Sequence, residues 1–206
     1  MADCSVGAAG LKFLLAPEPA EDLTLNENKS SDFPFLKFAE DVIRSDGFQK
    51  SSNKLAYLRE HLGISFENIC KLADKTSKQA TDPVWIRAHM CRLTSSNFGK
   101  IFQNIESNRK NVTLLRDLLN PRNLDGIKAV MWGRTHEPTA KEAFTKEMGL
   151  FIKKTGIWLH ESGLLGASPD GFVGDDAVLE CKCPYSLRNK NLHVVLDISK
   201  PDAVKD

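Results

Sequence analysis

A change of hydrophobic rhythm at Gly149 limits what this chain can fold into. Upstream of it, apolar residues recur at spacings of three and four, the period of a helix with one covered face. Leu55, Leu58 and Leu62, then Ile69 and Leu72, with Gly63 between the two sets, predict two short helices. Thr94 or Ser95 is placed to cap a helix from Ser96 through Phe102, and Val112 to Leu119 reads as another that Asn120-Pro121 would stop. A longer helix is expected from Gly126 through Trp132 and Phe144 to Met148, with Gly149 as its C-terminal stop. Downstream, short apolar runs alternate with turn residues: Leu150 to Lys153, Gly156 to His160, Leu164 to Ala167, Phe172-Val173 and Ala177 to Cys183. Helices followed by a small sheet of consecutive strands give an α+β class.

The segment before the first periodic residues is different. Residues 1–32, with Pro17, Pro19, several acids and Ser30-Ser31, show no sustained period, and the loose acidic leader is drawn as far as residue 50. A helical segment over 51–80, a core over 81–190 and a departing tail over 191–206 complete the expected organisation. Charge follows the same divisions: residues 1–50 hold 5 Lys/Arg against 9 Asp/Glu, residues 51–130 hold 13 against 7, and residues 131–206 hold 10 against 11. The net charge of +1 therefore hides a basic middle third. With 41% hydrophobic and 27% charged residues the chain is not disordered throughout. Five cysteines, an odd number without a framework spacing, argue against a disulfide-stapled secreted fold. No apolar run reaches membrane-spanning length, and the stretch Leu11 to Ala16 lacks a basic flank, so an intracellular protein without a membrane partner is expected.

Chemistry concentrates in Val178-Leu179-Glu180-Cys181-Lys182-Cys183-Pro184. Read as a strand, this puts Glu180 and Lys182 on one face and Leu179, Cys181 and Cys183 on the other, which suits a core. Ser168-Pro169-Asp170-Gly171 ends the preceding strand in a tight bend, and pairing through a Gly174-Asp175-Asp176 turn would bring Asp170 to the face of Glu180. Two carboxylates so close repel unless a positive charge lies between them, and hard divalent cations such as Mg²⁺ take oxygen ligands. The main-chain carbonyl of Cys181 is the expected third protein ligand. Such a cation would lower the pKa of a bound water and polarise a phosphoryl oxygen, with Lys182 orienting or deprotonating that water or neutralising transition-state charge. The plain alternative is a solvated Glu/Lys pair beside an ordinary turn.

On the long helix, Gly133, Glu137, Ala140, Phe144 and Met148 form one stripe in which Glu137 is the acid. A carboxylate on an otherwise apolar stripe calls for a partner or a cation, so Glu137 is a candidate metal contact, direct or through water. The alternative is an acid interacting with the helix dipole. Cys181 and Cys183 lack a second pair at structural-zinc spacing and are read as core thiols. His136 and His160, each beside a glutamate, are read as surface residues. The sequon Asn111-Val112-Thr113 has no meaning inside a cell, and Trp85, Trp132 and Trp158 are read as core or boundary aromatics.

Four elements in order then resemble a known family. Arg92-Leu93-Thr94-Ser95-Ser96-Asn97-Phe98-Gly99, Trp132-Gly133-Arg134-Thr135-His136-Glu137-Pro138, Leu165-Gly166-Ala167-Ser168-Pro169-Asp170-Gly171 and Leu179-Glu180-Cys181-Lys182-Cys183-Pro184-Tyr185 are similar to the YqaJ viral recombinase domain. That lambda-exonuclease-like family belongs to the PD-(D/E)xK nuclease superfamily. The resemblance implies a restriction-endonuclease-like core, a mixed central sheet flanked by helices, and exonucleolytic hydrolysis of linear duplex DNA with free ends in recombination or repair. It implies that Asp170 and Glu180 bind Mg²⁺ or Mn²⁺, that Lys182 assists the attacking water and that Glu137 is the helical acid of the active site. Ser96 matches a serine that receives a terminal phosphate near a helix start, with Arg92 as a further phosphate partner. His89 stands where family members often carry arginine, and it is only a conditional cation at neutral pH. Family members that thread DNA assemble as trimers. After Ser186 the expected helix and strands of the family are not recognisable, so the core is read as incomplete at its C-terminus. A catalytically inactive form that binds nucleic acid or a protein partner is the competing reading, and a purely structural interaction domain is another.

Overall fold

The computed structural model describes residues 33–107, 111–119, 124 and 126–190; the readings for residues 1–32, for the stop at Asn120-Pro121 and for the tail 191–206 lie outside these. The chain divides into two compact units, residues 1–122 with 155–168 and residues 123–154 with 169–206. No helix among the described residues is long and apolar enough to cross a membrane.

The leader drawn to residue 50 is too long. Helices α1 (Ala39–Arg44) and α2 (Asp46–Lys50) occupy its last quarter. Phe33, Leu36, Phe38, Ala39, Val42 and Phe48 are buried there. The helices have six and five residues, too few for a period to show in the sequence. Apolar burial outweighs the local acidity. Ser45 separates them by capping α2, its hydroxyl accepting from the Phe48 N–H at 3.2 Å.

Helices α3 (Lys54–Leu62) and α4 (Phe66–Lys75) follow the leucine and isoleucine spacing, with Gly63 at the break. Asn53 and Ser65 cap them through the Ala56 and Asn68 N–H groups. They share the first unit with α5 (Pro83–His89), strand β1 (Leu93–Thr94), α6 (Ser95–Glu106) and α7 (Val112–Leu119), so residues 51–80 are not a separate body. Leu36, Ile64, Ile69, Leu72, Val84, Ala88, Ile157 and Leu159 form the core of this unit. Its sheet pairs β4 (Leu165–Ala167) antiparallel with β3 (Trp158–Leu159) and parallel with β1. Thr76, buried among these residues, accepts the Ile157 N–H at 3.1 Å and donates to the Leu72 carbonyl at 2.6 Å. Gly156 permits this approach, since a Cβ there would lie 2.1 Å from the Thr76 hydroxyl oxygen.

The second unit is built on α8 (Lys128–Met148), 21 residues that end where Gly149 turns left-handed at φ 67° and donates its N–H to the Thr145 carbonyl. In the same unit, β2 (Ile152–Lys153), β5 (Gly171–Val173) and β6 (Ala177–Leu179) form an antiparallel sheet in the order β2-β5-β6. The α+β class holds, with helices and small sheets. The sheet itself is divided: among the described residues two three-stranded sheets stand where one central sheet was expected. Consecutive strands need not pair, and here β3 and β4 pair with each other and β1, while β5 turns back to β2.

Candidate active site

The register of the β5–β6 hairpin sets the site. Gly171 faces Leu179, Phe172 faces Val178 and Val173 faces Ala177, around a turn in which Gly174 takes φ 63°. One step further along the same register lie Asp170 and Glu180, the two acids singled out in the sequence. The Asp170 N–H donates to the Leu179 carbonyl at 3.0 Å, and the Asp170 carboxylate accepts the Cys181 N–H at 2.5 Å. That second bond replaces the ladder. The strand therefore ends at Leu179 instead of running on to Cys183, and residues 180–184 follow as irregular chain. Cys181 and Cys183 are half-buried and not core thiols for the same reason. Gly171 is required by the neighbouring strand: a Cβ there would lie 2.3 Å from Ile152 Cγ2 and 3.2 Å from the Lys153 carbonyl oxygen.

The Lys182 ammonium contacts the Glu180 carboxylate. Its pKa is raised chiefly by that hydrogen bond; partial burial opposes the rise, and the charges of Glu180, Asp170 and Glu137 add to it. Glu137 lies on the half-buried face of α8 with Gly133, Ala140 and Phe144, as the stripe predicted, whereas Met148 at its end is exposed. One turn on, Lys141 Nζ stands 2.5 Å from Glu137 Oε1. The sequence reading passed over Lys141, although its i+4 spacing from Glu137 was a signal for the pair. The Cys181 thiol sits among the same charges: burial raises its pKa, Asp170 adds to this, Lys141 opposes it, and Glu137 and Cys183 add smaller upward contributions.

His136 is not a surface residue: it is half-buried, with its ring stacked 3.6 Å from that of Trp132. Tyr185, in the short 3₁₀ turn Tyr185–Leu187, meets Trp132 edge-on at 5.9 Å, and the Arg188 guanidinium lies 4.0 Å above the Tyr185 ring.

Among the described residues no three His, Cys, Asp or Glu side chains are gathered closely enough to enclose a metal ion. The donor set suits a hard cation nonetheless. Mg²⁺ keeps several waters and is commonly held by one or two carboxylates, which Asp170 and Glu180 supply from adjacent positions of one hairpin.

The residues assigned to phosphate lie in the first unit, and two of them do other work. Arg92 is 2% exposed, and its guanidinium donates to the carbonyls of Gly163 at 2.7 Å, Ala88 at 3.0 Å and Lys37 at 2.7 Å. Burial lowers its pKa to about 10. It ties three segments of the unit together. His89 Nδ1 lies 2.8 Å from the Trp85 carbonyl oxygen, so that nitrogen carries the proton. Its Nε2 faces the Ser168 hydroxyl at 3.4 Å, which also accepts from Trp85 Nε1 at 2.9 Å. Burial first, and the Arg92 charge with it, hold the His89 pKa below 6.5 against the raising effect of the Trp85 carbonyl, so the side chain is neutral at pH 7. Ser96 alone of the three remains available: it is exposed in the first turn of α6, with its hydroxyl 3.2 Å from that of Thr94.

Comparison with solved structures finds the alkaline exonuclease LHK-Exo from Laribacter hongkongensis at 26% identity and TM-score 0.43, covering 59% of this chain and 61% of that one. LHK-Exo in complex with dAMP matches at 25% identity and TM-score 0.43, with 59% and 62% covered. The chain thus spans about three fifths of that exonuclease's length. No curated protein matches. In sequence, residues 84–203 match the YqaJ-like viral recombinase domain, a stretch that holds every residue of the site and most of the segment set apart as a tail. With more than half of its length inside that match, and with Asp170 and Glu180 brought to neighbouring positions of one hairpin, the chain belongs to the YqaJ-like viral recombinase domain family.

Proposed function

We propose that this domain hydrolyses DNA phosphodiester bonds, using a divalent cation, Mg²⁺ or Mn²⁺, held by Asp170, Glu180 and the main-chain carbonyl of Cys181. The observation that carries the reading is the hairpin register that sets Asp170 opposite Glu180, with Asp170 fixed on the Cys181 N–H and Lys182 paired with Glu180. A second carboxylate fixed beside the Glu180–Lys182 pair by a main-chain N–H exceeds what a solvated cross-strand pair requires. The bound cation would supply Lewis acidity toward a phosphoryl oxygen and a lowered pKa for a coordinated water.

The chain's own residues do the rest. Asp170 is fixed by the Cys181 N–H, so its carboxylate does not have to be ordered when a ligand arrives. Lys182, 75% exposed, is long enough to leave Glu180 and follow charge as it builds on the phosphate. Glu137 adds negative charge from α8 and holds Lys141. Ser96, in the first turn of α6, offers a hydroxyl and neighbouring N–H groups to a terminal phosphate. Arg92 and His89 have no direct part in this reading.

The substrate is linear duplex DNA with free ends, the attack exonucleolytic and the setting recombination or repair inside the cell. The match of residues 84–203 to the YqaJ-like viral recombinase domain supports the choice of class, and a trimer is the assembly that the family suggests. The test compares linear with covalently closed circular duplex in Mg²⁺, Mn²⁺ and EDTA. Degradation of the linear form alone, abolished by EDTA, supports the proposal. Equal attack on both forms removes the exonuclease reading, and cleavage in EDTA removes the metal.

A further inference from the structure

The second unit contains a cation that the reading above leaves without a role. Lys141 stands one helical turn from Glu137, the two side chains 24% and 34% exposed, with Nζ 2.5 Å from Oε1. Such i,i+4 pairs on an open helix face contribute a few tenths of a kcal/mol. This one is partly withdrawn from water, and its charge reaches Cys181, the residue that lies between Glu180 and Lys182 and binds Asp170. Attraction between Lys141 and Glu137 is therefore less screened than on an open surface.

We infer that Lys141 is a positioning residue that keeps Glu137 as a charge-balanced neighbour of the metal site and out of the cation's own ligand set. This deepens the metal-dependent reading and rests on it. Charge balance carries the argument. Three carboxylates around one cation would bind it tightly but would leave little positive charge to act on a phosphate. With Glu137 neutralised by Lys141, a divalent ion meets two carboxylates, Asp170 and Glu180. This is the number that a partly hydrated Mg²⁺ site commonly uses. It also agrees with the arrangement of the described residues, in which no three acidic, histidine or cysteine side chains gather as a cage.

The direct readout is Mn²⁺ binding by calorimetry and electron paramagnetic resonance, without DNA or turnover. Lys141→Met removes the charge and keeps the length; it should tighten Mn²⁺ about fivefold, since a unit positive charge several ångströms from a divalent ion is removed. Lys141→Arg should restore the wild-type affinity. The double variant Glu137→Gln with Lys141→Met removes a neutral pair and should bind within about twofold of wild type. Unchanged or weaker binding in Lys141→Met overturns the inference, as does a double variant about tenfold weaker than wild type, because that loss would mark Glu137 as a ligand. A wild-type chain that binds no Mn²⁺ overturns the metal reading and this one with it. A normal wild type with insensitive variants overturns this one alone.

Discussion

The Asp170 carboxylate accepts the main-chain N–H of Cys181 at 2.5 Å, joining the acid just before β5 to the residue that follows Glu180 beyond the end of β6. One side chain thereby ends the ladder and holds the turn that presents Glu180 and Lys182. Asp170→Asn keeps an oxygen that can accept this bond and removes the charge. DNA hydrolysis should fall by about 10³-fold while thermal unfolding barely moves. Asp170→Ala also orphans the Cys181 N–H and should lower stability by about 1 kcal/mol. Comparing both variants in a cleavage assay and a thermal melt separates the two roles.

Gly171→Ala places a methyl 2.3 Å from Ile152 Cγ2 and close to the Lys153 carbonyl. Overpacking of this kind costs about 1–3 kcal/mol. Strand β2 should be pushed from β5, and hydrogen exchange at Phe172 and Val173 should speed up. Adding Ile152→Ala should recover part of the loss, because the side-chain clash goes and the backbone one stays.

Arg92→Met removes the donors that serve three carbonyls and should destabilise the chain by about 3 kcal/mol or more. In a thermal melt the first unit should unfold early. DNA affinity measured below that transition should be unchanged, which distinguishes a structural arginine from a phosphate contact.

His89 gives the first unit a dependence on pH. Its folded pKa lies below 6.5, so as pH falls through 6.5 the unfolded chain takes up a proton that the folded chain refuses. Stability is therefore lost on acidification and is insensitive to this group above the unfolded value. The wild-type melting temperature should drop more between pH 7.5 and 5.5 than that of His89→Gln. Equal drops would contradict the assignment of a buried neutral imidazole.

Much of this was legible because it depends on local spacing. The leucines of α3, the apolar positions of α7 and the glycine after Met148 each announce a helix or its end within a few residues. The register that sets Asp170 opposite Glu180 is likewise local, fixed by a short turn between them. What escaped depends on groups distant in sequence. Arg92 looks like a free cation until Lys37, Ala88 and Gly163 bring their carbonyls to it. The strand at Leu93-Thr94 has no pattern of its own and exists because Leu165-Gly166 lies alongside. Residues 33–50 lacked a period because their helices are too short to display one, although Phe33, Leu36, Phe38 and Phe48 had the apolar content that a core needs.

The measurement that bears most directly on the central claim is hydrolysis of linear duplex DNA by the wild-type chain and by Lys182→Ala, each verified as folded, with Mg²⁺ and with EDTA. The account predicts cleavage by the wild type in Mg²⁺, none in EDTA, and a loss of about 10³-fold in the variant. A variant as active as the wild type, or a folded wild type that leaves DNA intact in both Mg²⁺ and Mn²⁺, would contradict it.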